Sequence, residues 1–279
     1  MGKQKKQTGP TLAEQADRHV LYQESVQAPE SDVEFFIDTY KELRGKEALS
    51  MREDFCGTAL LSVDWCKTNP QRTAVGVDLD KPTLDWGVEH NIVPAGMTDR
   101  IRLIEGNVLD EPDEKVDLTC ALNFSYCCFK TRDELRSYFE NARKGLKEDG
   151  ILVLDLLGGT ETMDELEEDR EGDDDENYTY IWDQAKFNPI NHHMTCHIHF
   201  EFDDDSRLDK AFTYEWRLWM IPEVTELLKE AGYSKARVYW EEFVEDEDDD
   251  EEMEGTGIYH DVTEAEQQES WVNYIVAEY

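Results

Sequence analysis

Short apolar runs alternate with amphipathic helical segments between residues 48 and 159. The strand-like runs are ALSMRED, TAVGVDLD, IRLIEGNV, VDLTCALNFSY and ILVLDLLGG. The helical segments between them include GTALLSVDWCKTN, PTLDWGVEHNIV and TRDELRSYFENARKGLKEDG. This alternation predicts an α/β fold, in which a mostly parallel sheet is covered by helices on both faces.

The pattern changes after Gly159. An acidic segment is followed by three β-rich runs joined by turn-forming stretches: YTYIWDQAKFNP, MTCHIHFEFDDD and RLDKAFTYEWRLWM. They predict an inserted antiparallel meander. A helix, IPEVTELLKEAGY, and two strands, KARVYWEEF and WVNYIVAEY, complete the chain. We therefore expect a helical segment at residues 1–45, a core at 46–158 and 221–279, and a β cap at 159–220.

Acidic residues dominate the charge of the chain, whose formal net charge is −38. Segments 161–176 and 241–254 each contain 11 Asp or Glu residues, and such like-charge runs predict solvated loops. An acidic surface repels nucleic acids and anionic membranes, so we expect neither as a partner. Because no run of about 18 apolar residues and no secretory signal occurs, we expect a cytoplasmic protein.

The turns that follow the strands carry informative residues, because ligands of an open parallel sheet bind beyond the carboxyl ends of its strands. The first turn, residues 52–59, contains small residues that let the backbone approach a ligand. The second strand ends at Asp78, which lies about 20 residues after Gly57, the spacing at which a carboxylate reaches ribose hydroxyls. The residues that follow the third and fourth strands are Asn107, Val108, Asn123, Phe124 and Tyr126.

With these turns, the sequence resembles the class I S-adenosylmethionine-dependent methyltransferase family over about residues 48–157 and 221–279. The first turn of that family has the form acidic-x-Gly-x-Gly-x-Gly. Here Glu53 holds the acidic position, Gly57 is the middle glycine, and Phe55 and Ala59 replace the outer two. The resemblance implies a Rossmann-like, mostly parallel seven-stranded sheet with a terminal antiparallel hairpin and an inserted antiparallel β cap. It also implies an enzyme that transfers a methyl group from S-adenosyl-L-methionine to a nitrogen or oxygen of a small-molecule acceptor.

The resemblance implies roles for the turn residues. Glu53 would orient the methionine end of the cofactor, Asp78 would accept the ribose hydroxyls, and Asn107 and Val108 would bracket the adenine. The other candidates for cofactor binding are Phe55, Gly57, Thr58, Leu79, Asn123 and Phe124. Structural roles stay open beside these, since Glu53 could cap a helix, Asp78 a turn, and Val108 could belong to the core.

The predicted cap resembles the small β caps that sugar N-methyltransferases and other small-molecule methyltransferases of this family place over the acceptor pocket. His197 and His199 share one face of a strand and, with Tyr126, are the catalytic candidates. The candidates for substrate binding are aromatic residues and nearby arginines: Arg18, Tyr22, Tyr214, Trp216 and Arg217. The same residues also suit structural packing, and the spacing of the histidines along one strand predicts no metal site.

Two other functions stay open. An NAD(P)-dependent oxidoreductase would share the fold and Asp78, although the first turn lacks the glycines of the GxGxxG motif that a pyrophosphate needs. A non-catalytic protein could instead recruit a basic partner through its acidic runs. The sequence determines neither the acceptor nor the oligomeric state, for which a homodimer is one option.

Overall fold

The computed structural model describes residues 9–171, 177–245 and 253–279. The chain divides into two compact units. The first comprises Met1–Gln27 with Met163–Leu218, and the second comprises Ala28–Thr162 with Trp219–Tyr279. The segment predicted at residues 1–45 is therefore shared between the units. As domain limits, the other predicted boundaries stay predictions.

The described residues form seven α-helices. In chain order these are α1 Leu12–Gln15, α2 Arg18–Val26, α3 Pro29–Arg44, α4 Leu60–Lys67, α5 Lys81–Gly87, α6 Arg132–Lys144 and α7 Ile221–Glu230. Helix α3 starts at Pro29, and because proline has no backbone N–H, no donor is left without a partner at that position. Gly45 caps the other end of the helix with a φ of 66°, in the left-handed region.

The described residues also form twelve strands. In chain order these are β1 Ser50–Asp54, β2 Thr73–Asp78, β3 Ile101–Glu105, β4 Val116–Ala121, β5 Leu146–Gly158, β6 Leu166–Glu171, β7 Tyr178–Asn188, β8 His193–Phe202, β9 Arg207–Arg217, β10 Lys235–Glu245, β11 Met253–Val262 and β12 Trp271–Glu278.

The large sheet of the second unit has the strand order β11-β10-β12-β5-β4-β1-β2-β3. Strands β1 to β5 run parallel to one another, and β12, β10 and β11 add antiparallel pairings at one side. The small sheet of the first unit is an antiparallel meander in the order β6-β7-β8-β9. The predicted Rossmann-like fold with a terminal antiparallel pair and an inserted antiparallel sheet is confirmed.

Each sheet has one strand more than the sequence predicts, and both extra strands come from segments predicted to be acidic loops. Strand β6 takes up Leu166–Glu171 of the first acidic run, while β10 continues to Glu245 and β11 begins at Met253 in the second. Both β6 and β11 are edge strands. Acidic side chains remain solvated on an edge strand, so a high density of carboxylates does not prevent pairing there. The rest of these runs, 172–176 and 246–252, lies outside the described residues.

The large sheet has a distinct set of partners on each face. Helices α3 and α4 pack against one face through a cluster that includes Phe36 of α3, Trp65 of α4 and Met51 of β1. Since side chains alternate along a strand, Glu53 points to this same face as Met51, and Asp54 points to the other. There the Tyr138 hydroxyl of α6 donates a hydrogen bond of 3.1 Å to Asp54.

Candidate active site

The turn between β1 and α4 has an unusual backbone. Phe55, Gly57 and Ala59 all have φ between 50° and 60°, in the left-handed region. The turn is closed by a hydrogen bond of 3.0 Å from the Cys56 N–H to the Val77 carbonyl oxygen. A Cβ atom at Gly57 would meet only the Thr83 side chain, at 4.0 Å, so glycine is favoured there by its conformation and not by crowding.

Helix α5 lies directly against this turn. A Cβ atom on Gly87 would lie 2.3 Å from the Thr58 carbonyl oxygen, so a glycine is needed for this close approach. The Asn91 side-chain amide donates a hydrogen bond of 2.9 Å to the same oxygen. These contacts fix the position of Thr58, which is buried two residues before α4 begins.

Asp78, at the end of β2, organises two backbone segments at once. Its Oδ2 atom accepts a hydrogen bond of 2.9 Å from the Gly57 N–H, and its Oδ1 atom accepts one of 2.9 Å from the Asp80 N–H. The predicted structural role in a turn is therefore present. A carboxylate has about four acceptor positions, so capacity remains for ligand hydroxyls. The adjoining Leu79 is 68% exposed, an unusual position for a large apolar side chain.

The two predicted residues of the turn after β3 differ in burial. Asn107 is exposed and its Oδ1 atom accepts a hydrogen bond of 2.9 Å from the Leu109 N–H. Val108 is buried, and its carbonyl oxygen accepts a hydrogen bond of 2.8 Å from Asn141. The Val108 side chain therefore packs in the core, the structural role that the sequence left open for it, and its contact with the adenine stays a prediction. Leu109 is 39% exposed and presents the apolar surface instead.

Asp155 of β5 holds the turn after β4. Asn123 and Phe124 have φ of 54° and 55°, and both donate their backbone N–H to the Asp155 carboxylate, at 2.6 and 2.9 Å. Left-handed backbone at a residue other than glycine costs about 1–3 kcal/mol, which these hydrogen bonds help to offset. Asp155 was not among the predicted residues, although a lone carboxylate inside the run ILVLDLLGG was a usable signal.

Tyr126 does not fit the catalytic role predicted for it. The side chain is fully buried, and its hydroxyl donates a hydrogen bond of 2.7 Å to the Asp155 carbonyl oxygen. Burial raises the pKa of this phenol well above its ordinary value. The prediction placed Tyr126 at the strand end with its neighbours, but the short helical turn Ser125–Cys128 directs it into the core.

Three carboxyl groups lie close enough to influence one another on the α3 side of the sheet. Burial raises the pKa of Glu53 to about 8 and that of Asp155 to about 8, and the charge of Asp32 in α3 contributes to both. Burial also raises the pKa of Asp32 to about 6, although a hydrogen bond from the Tyr274 hydroxyl lowers it. Asp32 keeps part of its surface accessible to solvent, whereas Glu53 and Asp155 are buried.

Glu53 also has a structural contact. Its Oε2 atom accepts hydrogen bonds from the Ser62 hydroxyl, at 2.5 Å, and from the Ser62 N–H, at 3.1 Å. In the parts of the chain that the structure describes, Asp32, Glu53 and Asp155 form no ion pair with lysine or arginine. The carboxyl ends of the central strands therefore hold three carboxyl groups without a compensating cation, and a cation bound beside them would favour their ionised forms.

The two predicted histidines are buried in the small sheet of the other unit. The His199 Nδ1 atom lies 2.5 Å from Asp209 Oδ1, and its Nε2 atom lies 3.4 Å from Asp183 Oδ2. The His197 Nδ1 atom lies 2.9 Å from the Thr213 hydroxyl, and burial lowers the pKa of His197. Both nitrogens of His199 are thus engaged by neighbouring strands, which favours a structural role for this residue.

The predicted substrate-binding residues occupy two faces of the small sheet. Tyr214 stacks on Trp216 at 4.4 Å, and the Arg18 guanidinium and the Tyr22 ring both pack against Phe212. In the register of β8 and β9, Tyr214 pairs with Cys196, while His197 pairs with Thr213 and Arg217 with His193. Because paired residues share a face, Tyr214 and Trp216 lie on the face opposite to both histidines and Arg217. The predicted catalytic and aromatic groups are therefore not brought together within this unit.

Within residues 9–171, 177–245 and 253–279, no three His, Cys, Asp or Glu side chains are arranged to hold a metal ion. Over the same residues, no helix has the length and apolar content needed to span a membrane.

Several solved structures share this architecture. A S-adenosylmethionine-dependent methyltransferase from Clostridium acetobutylicum is 16% identical, with a TM-score of 0.68 over 93% of this chain and 96% of that one. An amino pentose methyltransferase from Micromonospora echinaspora is 14% identical, with a TM-score of 0.66 over 93% and 95%. A sugar N-methyltransferase from Streptoalloteichus sp is 15% identical, with a TM-score of 0.61 over 100% and 98%. No protein-family model and no curated protein sequence matches. The chain thus has the fold of these methyltransferases over nearly its whole length.

Proposed function

We propose that the protein is an S-adenosylmethionine-dependent methyltransferase and that its acceptor is the amine nitrogen of a small molecule. The observation that carries the proposal is the acidic group at the carboxyl ends of the central strands, formed by Asp32, Glu53 and Asp155 without a cationic partner in the described chain. The cofactor carries a sulfonium and an ammonium, and an amine acceptor adds a further positive group. Asp32 is mostly ionised at neutral pH, and a positive ligand would also favour the ionised forms of Glu53 and Asp155.

The residues around the first two turns fit the cofactor. Asp78 has free acceptor capacity for ribose hydroxyls beside the exposed Leu79. Leu109, in the turn that follows β3, offers a second exposed apolar side chain for the adenine. Glu53 would face the methionine end. The first turn lacks the GxGxxG motif that binds the pyrophosphate of NAD. For this reason we propose S-adenosylmethionine, and not NAD, as the cofactor.

When bound, the cofactor supplies an electrophilic methyl group on a positively charged sulfur. The protein itself needs no nucleophile, because its contribution is to align the acceptor nitrogen and exclude water. Asp155 fixes the backbone of Asn123 and Phe124, which border the site at the end of β4. Asp32 is the partly accessible carboxylate on the same face, and it is suited to hold the acceptor ammonium.

The acceptor class draws support from the comparisons. Two of the similar structures are named as an amino pentose methyltransferase and a sugar N-methyltransferase, and these names refer to a sugar that carries an amino group and to methylation of a sugar at nitrogen. We extend this to an amino sugar as the first acceptor to test. An oxygen acceptor is the second candidate.

The experiment is methyl transfer from methyl-labelled S-adenosylmethionine to a panel of amino sugars and matched hydroxy sugars, followed by mass spectrometry. We expect label on nitrogen. Calorimetry with S-adenosylmethionine and with NAD is run beside it. Binding of NAD alone would support the oxidoreductase alternative, and binding of neither would support the non-catalytic one. Either result overturns the proposal.

A further inference from the structure

The two oxygens of the Asp32 carboxylate have different surroundings. The Tyr274 hydroxyl of β12 donates a hydrogen bond to Asp32 Oδ1. No hydrogen bond or ion pair from the described residues reaches Asp32 Oδ2, and part of the surface of Asp32 is accessible to solvent. The protein therefore holds one oxygen of this carboxylate, and the other is available to a ligand.

Tyr274 contacts helix α3 at two points. Its hydroxyl meets Asp32, and its ring stacks on Phe35 with ring centroids 4.1 Å apart and an interplanar angle of 13°. Asp32 and Phe35 are three residues apart, so they are neighbours along one side of the helix. A second ring, that of Tyr259 of β11, meets the Tyr274 ring edge to face with centroids 4.8 Å apart. These contacts fix the ring, and the ring fixes the hydroxyl that orients Asp32.

The sheet carries Tyr274 beside the other carboxyl groups of the site. In the register of β12 and β5, Tyr274 pairs with Asp155, so both side chains lie on the face that α3 covers. Asp155 in turn holds the backbone of Asn123 and Phe124 at the end of β4. Tyr274 therefore connects α3 to the strand that borders the proposed site.

The groups around Asp32 are all neutral or acidic. Those that face it come from five strands: Glu53 of β1, Cys120 of β4, Asp155 of β5, Tyr259 of β11 and Tyr274 of β12. Burial raises the pKa of Glu53 and that of Asp155 to about 8, whereas the pKa of Asp32 is raised only to about 6. At neutral pH Asp32 is thus the carboxyl group that is mostly ionised, and the hydrogen bond from Tyr274 favours this ionised form.

From this geometry we infer that Tyr274 determines the selectivity for amine acceptors, because it holds one oxygen of the Asp32 carboxylate and leaves the other to bind the acceptor ammonium. The inference rests on the proposed methyl transfer to an amine. Tyr274 acts through Asp32 and is a positioning residue. An ammonium pairs with a carboxylate by charge as well as by a hydrogen bond, whereas a hydroxyl contributes no charge. An amino sugar should therefore bind in preference to the hydroxy sugar of the same shape.

The inference concerns binding of the acceptor. Before methyl transfer the bound ammonium releases one proton to water, because only the free amine has a lone pair to form the bond to the methyl carbon. Selection of the amine by charge and its later reaction as a neutral nitrogen are therefore separate steps, and the test measures the first of them.

The test compares Tyr274→Phe with a matched control in the same aromatic cluster. Tyr239 of β10 pairs with Tyr274 in the sheet, and its ring lies 5.3 Å from that of Phe35. Its buried hydroxyl has no hydrogen-bond partner among the described residues. Tyr239→Phe therefore removes a hydroxyl from the same cluster without changing the contacts of Asp32.

Calorimetry measures the affinity of each variant for the amino sugar that the parent methylates and for the matched hydroxy sugar. S-adenosylhomocysteine replaces the cofactor, so that no turnover occurs. In Tyr274→Phe we expect the affinity for the amino sugar to fall by about tenfold, the effect of weakening a bond to an ionised group, and that for the hydroxy sugar to stay at the parent value. Tyr239→Phe should match the parent for both sugars. An equal loss for both sugars in Tyr274→Phe would show a merely structural role and overturns the inference.

A double-mutant cycle tests whether Tyr274 acts through Asp32. Asp32→Asn removes the charge and should abolish the preference for the amino sugar. Adding Tyr274→Phe to Asp32→Asn should then change the ratio of the two affinities no further, because the group through which Tyr274 acts is already lost. A further fall of this ratio in the double variant overturns the inference.

A last readout needs no acceptor. In carbon-13 NMR titrations of the side-chain carboxyls, with Asp32 assigned through Asp32→Asn, we expect Tyr274→Phe to raise the pKa of Asp32, because the variant loses a hydrogen bond to the ionised form. Tyr239→Phe should leave the titration of Asp32 unchanged. An unchanged titration in Tyr274→Phe overturns the inference, whereas a parent protein that binds S-adenosylmethionine but methylates no amine overturns the proposed function instead.

Discussion

Asp78 and Gly57 are joined by a hydrogen bond of 2.9 Å from the Gly57 N–H to the Asp78 carboxylate, which ties the end of β2 to the turn after β1. Asp78→Asn keeps an oxygen for this bond and removes the charge. We expect S-adenosylmethionine affinity to fall about tenfold or more, since a hydrogen bond to an ionised group contributes about 1.5–3 kcal/mol. Calorimetry measures the affinity.

The control for this prediction is Asp85→Asn. Asp85 is an exposed residue of α5 paired with Lys81, so its loss should leave affinity unchanged. If folded Asp78→Asn binds the cofactor as tightly as the parent, the ribose assignment is wrong and Asp78 is a structural residue of the turn.

Asp155 is expected to be essential for the turn after β4. In Asp155→Asn, one of the two N–H groups of Asn123 and Phe124 loses its acceptor, and the free energy of unfolding should drop by about 1–3 kcal/mol. Urea denaturation measures this change.

Asn123→Gly is the matched variant, because glycine adopts the same left-handed backbone and the hydrogen bond uses the backbone N–H. Asn123→Gly should stay within about 1 kcal/mol of the parent. A larger loss in Asn123→Gly than in Asp155→Asn would contradict this account.

The sequence allowed prediction of those features that follow from a local hydrophobic pattern together with a general rule of sheet topology. The alternation of strands and helices predicted the parallel sheet, and the rule that ligands bind at strand ends led to Glu53 and Asp78. The same rule could not show which side chain of a turn is exposed. The apolar contact was expected at Val108, whereas the exposed residue is Leu109, because the turn after β3 places the Val108 side chain in the core.

Contacts between distant parts of the chain could not be predicted. Asp32 lies in the segment predicted to be helical, and its partner Tyr274 is 242 positions away. Only the packing of α3 on β12 brings them together. Strand β11 was missed for a related reason, because it follows a dense run of acidic residues and its pairing depends on the edge that β10 offers.

The raised pKa of the buried Glu53 predicts that the free energy of unfolding of the protein without ligand falls as pH rises. The pKa of Glu53 is raised from 4.5 to about 8, so the unfolded chain releases this proton at lower pH than the folded one. The free energy of unfolding should therefore fall as pH rises through this window, by up to about 1.4 kcal/mol per pH unit for each such group. Glu53→Gln should flatten the slope, as measured by denaturation at several pH values. A parent whose stability rises steadily from pH 5 to about pH 8 would rule out the raised pKa.

His199 connects three strands of the small sheet, with Asp183 of β7 near its Nε2 atom and Asp209 of β9 near its Nδ1 atom. A catalytic base needs a free nitrogen, so we expect His199→Gln to act on stability. The free energy of unfolding should fall by about 1–3 kcal/mol, the cost of leaving a buried polar partner unsatisfied. Because Asp209 is 63% exposed and is screened by solvent, the loss should lie toward the lower end of this range.

His260→Gln is the matched control, since it disrupts an exposed pair with Glu242 and should change the free energy of unfolding little. The rate of methyl transfer per folded molecule should match the parent in both variants. If His199→Gln instead abolishes turnover while melting at the parent temperature, the structural role is wrong and the histidine takes part in the reaction.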